Sequence, residues 1–198
     1  KKVLLFGTFS LFCIYAFTSV SNAEEQPAEL VWYRTFNSGA GVFNMAWDVT
    51  TDNQNSPIVS GVSIGREFNQ SDTRIIKFNS AGDIVWNKVF DSGTRDGGFS
   101  VVADSENNIY STGFVFPPGE RYQADCRVLK LTADGEIIWD KTFSLRQRKT
   151  YCYDIAVHGS TNIYVAGELG YVSYSTMTTD AFLFKIDDNG NMQWAEIT

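Results

Sequence analysis

Tryptophan recurs through this chain at a nearly fixed interval. Trp32, Trp86, Trp139 and Trp194 are separated by 54, 53 and 55 residues, and each stands in the same local phrase. The phrases read Leu30-Val-Trp-Tyr-Arg-Thr-Phe36, Ile84-Val-Trp-Asn-Lys-Val-Phe90, Ile137-Ile-Trp-Asp-Lys-Thr-Phe143 and Met192-Gln-Trp-Ala-Glu-Ile197. A period of about 50 residues marks a repeat architecture, with one supersecondary unit per period.

Other positions recur in step. Gly61, Gly113 and Gly167 end the runs Ile58-Val-Ser-Gly61, Ile109-Tyr-Ser-Thr-Gly113 and Ile163-Tyr-Val-Ala-Gly167. Asp72, Asp125 and Asp180 open a strand-like segment, and Lys77, Lys130 and Lys185 fall near its end. A turn then leads to the next tryptophan: Asn79-Ser-Ala-Gly82, Thr132-Ala-Asp-Gly135 or Asp187-Asp-Asn-Gly190. Glycine in the last place supplies the left-handed residue such hairpins need. The first segment of each period covers Ala46–Thr51, Phe99–Ala103 and Asp154–Val157. All four segments are short runs of Val, Ile, Tyr, Phe and Thr bounded by turn formers, which is the strand signal. No window carries a capped apolar stripe of helical period.

With the four turn residues outside the ladder, Ile75 is expected opposite Trp86, Val128 opposite Trp139 and Leu183 opposite Trp194. Each is a favourable aromatic–aliphatic pair. The repeated lysine would lie diagonal to the indole, its stem over the ring and its ammonium in water.

The expectation is therefore an all-β chain of tandem four-stranded antiparallel blades of a β-propeller, at about 30–90, 91–143 and 144–198. A β-solenoid is the runner-up. Leu30–Phe36 reads as an extra outer strand. Three blades with that extra outer strand describe an incomplete propeller, a fragment of a longer reading frame. The alternative is closure by oligomerisation, the remaining blades coming from a second copy.

Asn107-Asn-Ile-Tyr-Ser-Thr-Gly113 with Asp125 to Trp139, and Thr161-Asn-Ile-Tyr-Val-Ala-Gly167 with Asp180 to Trp194, resemble the bacterial seven-bladed β-propeller (SBBP-type) repeat. The resemblance covers about residues 30 to 197; the first repeat diverges at Pro57 and in Asn53-Gln-Asn-Ser56. It implies a propeller fold, a secreted protein and no defined ligand. The Gly…Trp phrase is also similar to quinone-dependent dehydrogenase propellers, without active-site residues that match.

Residues 1–23 have a basic start, an apolar run from Val3 to Val20 and Ser21-Asn-Ala23 before Glu24, the pattern of a cleaved secretory signal peptide. A short linker, 24–29, follows. The other reading is an uncleaved anchor, but polar residues dilute the run. Phe12 before Cys13 argues against a lipoprotein. Cleavage leaves 14 basic and 23 acidic residues, a formal charge of −9. That balance disfavours nucleic acid, which needs a basic surface. No second stretch reads as a membrane span.

His158 is the only histidine and falls in a turn, which leaves little scope for a histidine triad or metal centre. Asp187-Asp-Asn-Gly-Asn191 resembles a calcium loop but coincides with the repeated hairpin. Asp72, Asp125 and Asp180 either line a channel or bond backbone amides where a loop enters a strand. Cys126 and Cys152 fall at the same rim of neighbouring blades, so a disulfide between them is feasible in an exported protein; two buried thiols are the alternative.

The turns joining segments one to two and three to four lie on one face. The longer connections 37–44, 65–71, 91–98, 116–124, 144–151 and 169–179 lie on the other. These carry Arg66, Arg95, Arg121, Tyr122, Arg146, Arg148, Lys149 and Tyr151, with Tyr171 and Tyr174. Variable loops on a rigid scaffold are where binding usually resides. The functional expectation is a secreted, periplasmic or surface binding scaffold for an unknown protein or glycan, not an enzyme, with no cofactor. The alternatives are the propeller part of an extracytoplasmic enzyme, oxidoreductase-like or glycan-active, whose catalytic residues lie elsewhere, and a structural adhesin or stalk.

Overall fold

The computed structural model describes residues 31–36, 43–65, 70–120, 122–172 and 177–198, with the backbone alone at 171, 172 and 177. Twelve strands build three four-stranded antiparallel sheets, each in simple chain order. Sheet 1 holds β1 (Phe43–Thr51), β2 (Pro57–Ile64), β3 (Ser71–Phe78) and β4 (Ile84–Phe90). Sheet 2 holds β5 (Asp96–Ala103), β6 (Ile109–Val115), β7 (Asp125–Leu131) and β8 (Ile137–Phe143). Sheet 3 holds β9 (Lys149–His158), β10 (Asn162–Val172), β11 (Met177–Ile186) and β12 (Met192–Ile197). The described residues contain no helix, and the three sheets do not close on one another. The signal-peptide and linker residues, 1–29, lie outside the described residues, as do Leu30, Arg66, Arg121 and Tyr174.

The sheets stack in chain order, with sheet 2 between its neighbours. Ile58, Ile75 and Phe90 of sheet 1 pack on Val101, Ile109, Leu129 and Leu131 of sheet 2. Tyr110, Cys126 and Val128 of sheet 2 pack on Ile155, Ile163, Phe182, Phe184 and Ile186 of sheet 3. Each aliphatic side chain so buried is worth about 1.5–3 kcal/mol. Covering on both faces explains why β6 is buried throughout and β7 nearly so, where a half-exposed strand would alternate.

The hairpin turns take the expected form. Gly82, Gly135 and Gly190 adopt φ of 82°, 75° and 75°. Asn79 Oδ1 accepts the amides of Ala81 and Asp83, and Asp187 Oδ1 those of Asn189 and Asn191. These bonds draw the residue after glycine into the turn, and the register differs from expectation because of it. Phe78 pairs Ile84 and Lys77 pairs Trp86, with a bulge between them. Likewise Lys130 pairs Trp139 and Lys185 pairs Trp194. The tryptophans thus face lysines directly; Ile75 meets Lys88, Val128 meets Lys141 and Leu183 meets Glu196. A slip of two residues keeps each side chain on its expected face.

The ammonium groups correct a second expectation. Lys77 and Lys130 are 7% and 5% exposed. Lys77 Nζ lies 2.8 Å from Asp52 Oδ2 and donates to the Ala133 carbonyl at 3.2 Å, while Lys130 Nζ pairs with Asp188. A turn of the adjoining sheet stands where water was expected, so the buried charge takes a carboxylate instead. Burial alone would raise the Asp52 carboxyl, but the bond from Lys77 and the amides of Ser56 and Gln54 hold it below its ordinary value.

Residues 31–36 join no sheet, contrary to the outer strand expected there. Trp32 nonetheless stacks near Phe78, centroids 6.3 Å apart, and lies against Gly82. Arg34 pairs with Asp83 at 3.5 Å. The segment crosses the outward face of sheet 1 and walls an apolar groove with Val49, Val59 and Ile76.

Candidate ligand-binding site

The first strand of every sheet carries a bulge: Trp47 in β1, Phe99 in β5 and Tyr153 in β9 are the extra residues. Across from each bulge stands one of the repeated glycines. A Cβ at Gly61, Gly113 or Gly167 would overlap the backbone oxygen of Met45, Gly97 or Tyr151, respectively. The glycine therefore makes room for a carbonyl that the bulge pushes across the pair. An extra residue bends the strand and re-aims its side chain, and here all three re-aimed side chains are aromatic.

They meet. Trp47 stands edge-on to Phe99, with centroids 5.7 Å apart and planes at 89°. Phe99 lies 5.4 Å from Tyr153 at 43°. Trp47 is 56% and Tyr153 45% exposed, so the rings form a bent wall with open faces. The next residue in each strand is polar. Ser100 Oγ lies 2.7 Å from Asp48 Oδ2 and 3.0 Å from Asp154 Oδ1. One hydroxyl proton can serve only one of these carboxylates at a time. Asp48 also accepts the amides of Val49 and Val101, and Asp154 that of Ile155. Burial, then the bond to Glu168, push the Tyr153 phenol well above its ordinary value.

Toward the end bearing the longer connections, the wall continues. Tyr151 stacks on Tyr153 at 6.2 Å, and Phe114 touches Phe99, Phe116 and Tyr151. Arg95 lies 4.9 Å from the Phe116 centroid and Lys149 4.7 Å from that of Tyr151. Of the basic and tyrosine residues expected on this rim, Arg95, Lys149 and Tyr151 are thus gathered on the aromatic cluster. Lys149 and Tyr151 sit within β9 rather than in a loop, because they pair with Gly170 and Glu168 of β10 and so extend the strand. Arg148 is drawn elsewhere, to Asp180 and the Leu169 carbonyl. Tyr122, 74% exposed, and Arg146, in a turn with φ of 52°, stand in solvent. Arg66, Arg121 and Tyr174 lie outside the described residues, and the side chain of Tyr171 is not described.

The repeated aspartates have three different surroundings. Asp180 pairs with Arg148, and Asp125 Oδ1 is buried with no hydrogen-bond partner. Asp72 shares an acidic group with Asp91 and Asp96, ligand atoms all within 4.8 Å. Burial, then the Asp91 and Asp96 charges, raise the Asp72 carboxyl to about 6. Such a group could hold a cation, but Asp96 is already committed. It accepts from Thr73 N and Oγ1, from Ser92 and from Arg127. No backbone amide bonds the side chain of Asp72, Asp125 or Asp180 among the described residues, unlike the capping role expected of them.

Cys126 of β7 and Cys152 of β9 form a disulfide, Cα atoms 5.2 Å apart, joining sheets 2 and 3. His158 ends β9, exposed, and its carbonyl accepts from the Asn162 side chain.

The aromatic wall was missed in the sequence although its signal is present: Trp47-Asp-Val49, Phe99-Ser-Val101 and Tyr153-Asp-Ile155 repeat as aromatic, small polar, β-branched. Its distance from the tryptophan of its own sheet drifts by one residue per repeat, which hides it from an alignment anchored there. No known protein family matches the chain, and no curated protein matches it either.

Proposed function

We propose that the chain is a β-propeller-type repeat protein working outside the cytoplasm as a binding scaffold, with its ligand held on the aromatic wall of the first strands. The observation that carries the reading is the exposure of Trp47 and Tyr153. Rings this large, aimed outward by three equivalent bulges, contribute little to the core and resemble the aromatic anchors that dominate binding surfaces. The tandem arrangement of equal sheets, each bonded to the next through its tryptophan, supports blades of a propeller and the SBBP-type resemblance. The disulfide supports an oxidising compartment, as does the signal-like leader. Arg95, Lys149 and Tyr151 extend the surface toward the longer connections. Binding is favoured over catalysis because the acids at the wall, Asp48 and Asp154, are spent on backbone amides and Ser100.

The test is a saturation-transfer NMR screen of the oxidised chain against glycan fragments, peptides and small ions. Ligands should bind the wild type and be lost in Trp47→Ala/Tyr153→Ala, with Trp194→Ala as the exposed-tryptophan control. Binding that survives the double substitution would move the ligand off this wall.

A further inference from the structure

We propose that the wall of Trp47, Phe99 and Tyr153 receives an organic cation, an alkylammonium group; this rests on the binding-scaffold reading and names the ligand class of that site. Elsewhere in the chain, basic side chains lie over rings that are buried or half-buried. Arg74 lies 4.7 Å from the Phe36 centroid, Lys88 5.9 Å from Trp86, Arg95 4.9 Å from Phe116, Lys149 4.7 Å from Tyr151 and Lys185 5.8 Å from Tyr164. Basic side chains thus cover aromatic faces again and again. Trp47 and Tyr153 have no such cover among the described residues, although they are the more exposed members of the cluster.

What stands beside them is negative. Asp48 follows Trp47, Asp154 follows Tyr153, and Glu168 acts on the Tyr153 hydroxyl. Asp48 and Asp154 share the single hydroxyl donor of Ser100, and no basic side chain pairs with either among the described residues. The ring planes also matter. Trp47 and Phe99 meet at 89° and Phe99 and Tyr153 at 43°. Rings at such angles turn more than one face toward a point, as a compact cation requires; a flat sugar ring would be better met by parallel faces. An alkylammonium held by π faces and adjoining carboxylates satisfies both features. The formal charge of −7 adds a long-range attraction of the same sign.

The experiment titrates the oxidised chain with choline, and separately with its neutral isostere in which carbon replaces the quaternary nitrogen, following NMR relaxation of the ligand's methyl protons. Choline should bind at least about tenfold tighter than the isostere, as a partly desolvated cation–π contact implies. Trp47→Ala should lower choline affinity by about tenfold. Asp154→Asn, which keeps an oxygen for the Ile155 amide, should lower it severalfold, with a thermal melt confirming the fold. Equal affinity for the isostere would overturn the inference. So would a neutral oligosaccharide that binds through Trp47 while choline does not; the binding surface would then stand and its cationic ligand fall. If neither class binds, both readings fall together.

Discussion

The indole N–H of Trp139 donates to the backbone carbonyl of Asp188 at 2.8 Å, tying the last strand of sheet 2 to the β11–β12 turn of sheet 3. Trp86 makes the same bond to Ala133, at 3.1 Å, between sheets 1 and 2. Each ring lies against the glycine of the turn it bonds, Gly190 or Gly135, as Trp32 lies against Gly82. Lys88 reaches past Trp86 to pair with Glu136, and Arg34 past Trp32 to pair with Asp83. The repeated tryptophan is therefore a link between sheets more than a member of its own ladder.

Removing that link should be felt as a loss of stability. Trp139→Phe keeps a ring but leaves the Asp188 carbonyl without its donor, and about 1–3 kcal/mol is expected in urea denaturation. Trp194, 40% exposed, bonds no such turn among the described residues. Trp194→Phe should stay within about 0.5 kcal/mol of wild type. Equal losses at the two positions would show that the indole matters within its own sheet instead.

The repeated glycines on the second strands answer to sterics. At Gly113 a Cβ would strike the Gly97 carbonyl and then the Gly98 Cα, both backbone and unable to rotate aside. Gly113→Ala is expected to cost about 3 kcal/mol or more, the upper range for overpacking. It should also disturb Phe99 at the bulge, which a change in near-ultraviolet circular dichroism would report.

A buried ion network sits beside the acidic group. Arg127 bonds Asp96 at 2.8 Å and Asp140 through two bonds, with side-chain exposures of 5% for Arg127 and 0% for Asp96. Burial would lower the Arg127 guanidinium, but Asp140 and Asp96 outweigh it and raise it. Arg127→Leu leaves the Asp96 charge buried without its cation, a loss of about 3–5 kcal/mol. Arg127→Leu/Asp96→Asn removes the charge as well and should recover part of that stability; an additive loss would contradict the coupling.

The disulfide between Cys126 and Cys152 closes a loop whose ends are 26 residues apart. On chain entropy alone such a crosslink contributes about 3–4 kcal/mol. Reduction should lower the denaturation midpoint accordingly, and Cys126→Ser/Cys152→Ser should match the reduced protein. A midpoint unmoved by reductant would mean that the packing of sheet 2 on sheet 3 alone sets stability there.

Strand number and order could be read in the sequence because strand, turn and glycine signals are local and recur in phase. Register could not, because it depends on side chains that bond their own turns. Asn79 Oδ1 and Asp187 Oδ1 draw Asp83 and Asn191 out of the ladder, and apolar patterning is blind to a two-residue slip. The surroundings of Lys77 and Lys130 were hidden for a related reason. A lysine stem along an indole reads as a surface pair until the adjoining sheet's turn is in place. The aromatic wall was hidden by bulges, since an extra residue moves an aromatic off the strict alternation that marks a strand's faces. The proximity of Cys126 and Cys152, by contrast, was legible from position alone, because both fall at one rim of adjoining sheets; that they are bridged rather than free thiols is shown only by their geometry.

Asp72 gives the chain a pH dependence of definite sign. Burial first, and then the charges of Asp91 and Asp96, raise its carboxyl from 3.8 to about 6, against the pull of Arg74. Between those two values the folded chain holds a proton that the unfolded chain has already released. Folding is then favoured by acid: the stabilising contribution is full below about pH 4 and is lost as pH rises through 6. Above that, the folded protein carries a third negative charge among Asp72, Asp91 and Asp96 with no added cation. Asp72→Asn removes the titration while keeping a polar group of the same size. Melting temperatures of the two proteins should agree near pH 4 and below, and the variant should be the more stable at pH 7.5, the gap opening between about pH 4 and 6 and staying level above. A gap that is constant across the range would show that the carboxyl ionises normally, and a gap of opposite sign would mean that its charge is needed, as it would be if the group bound a cation.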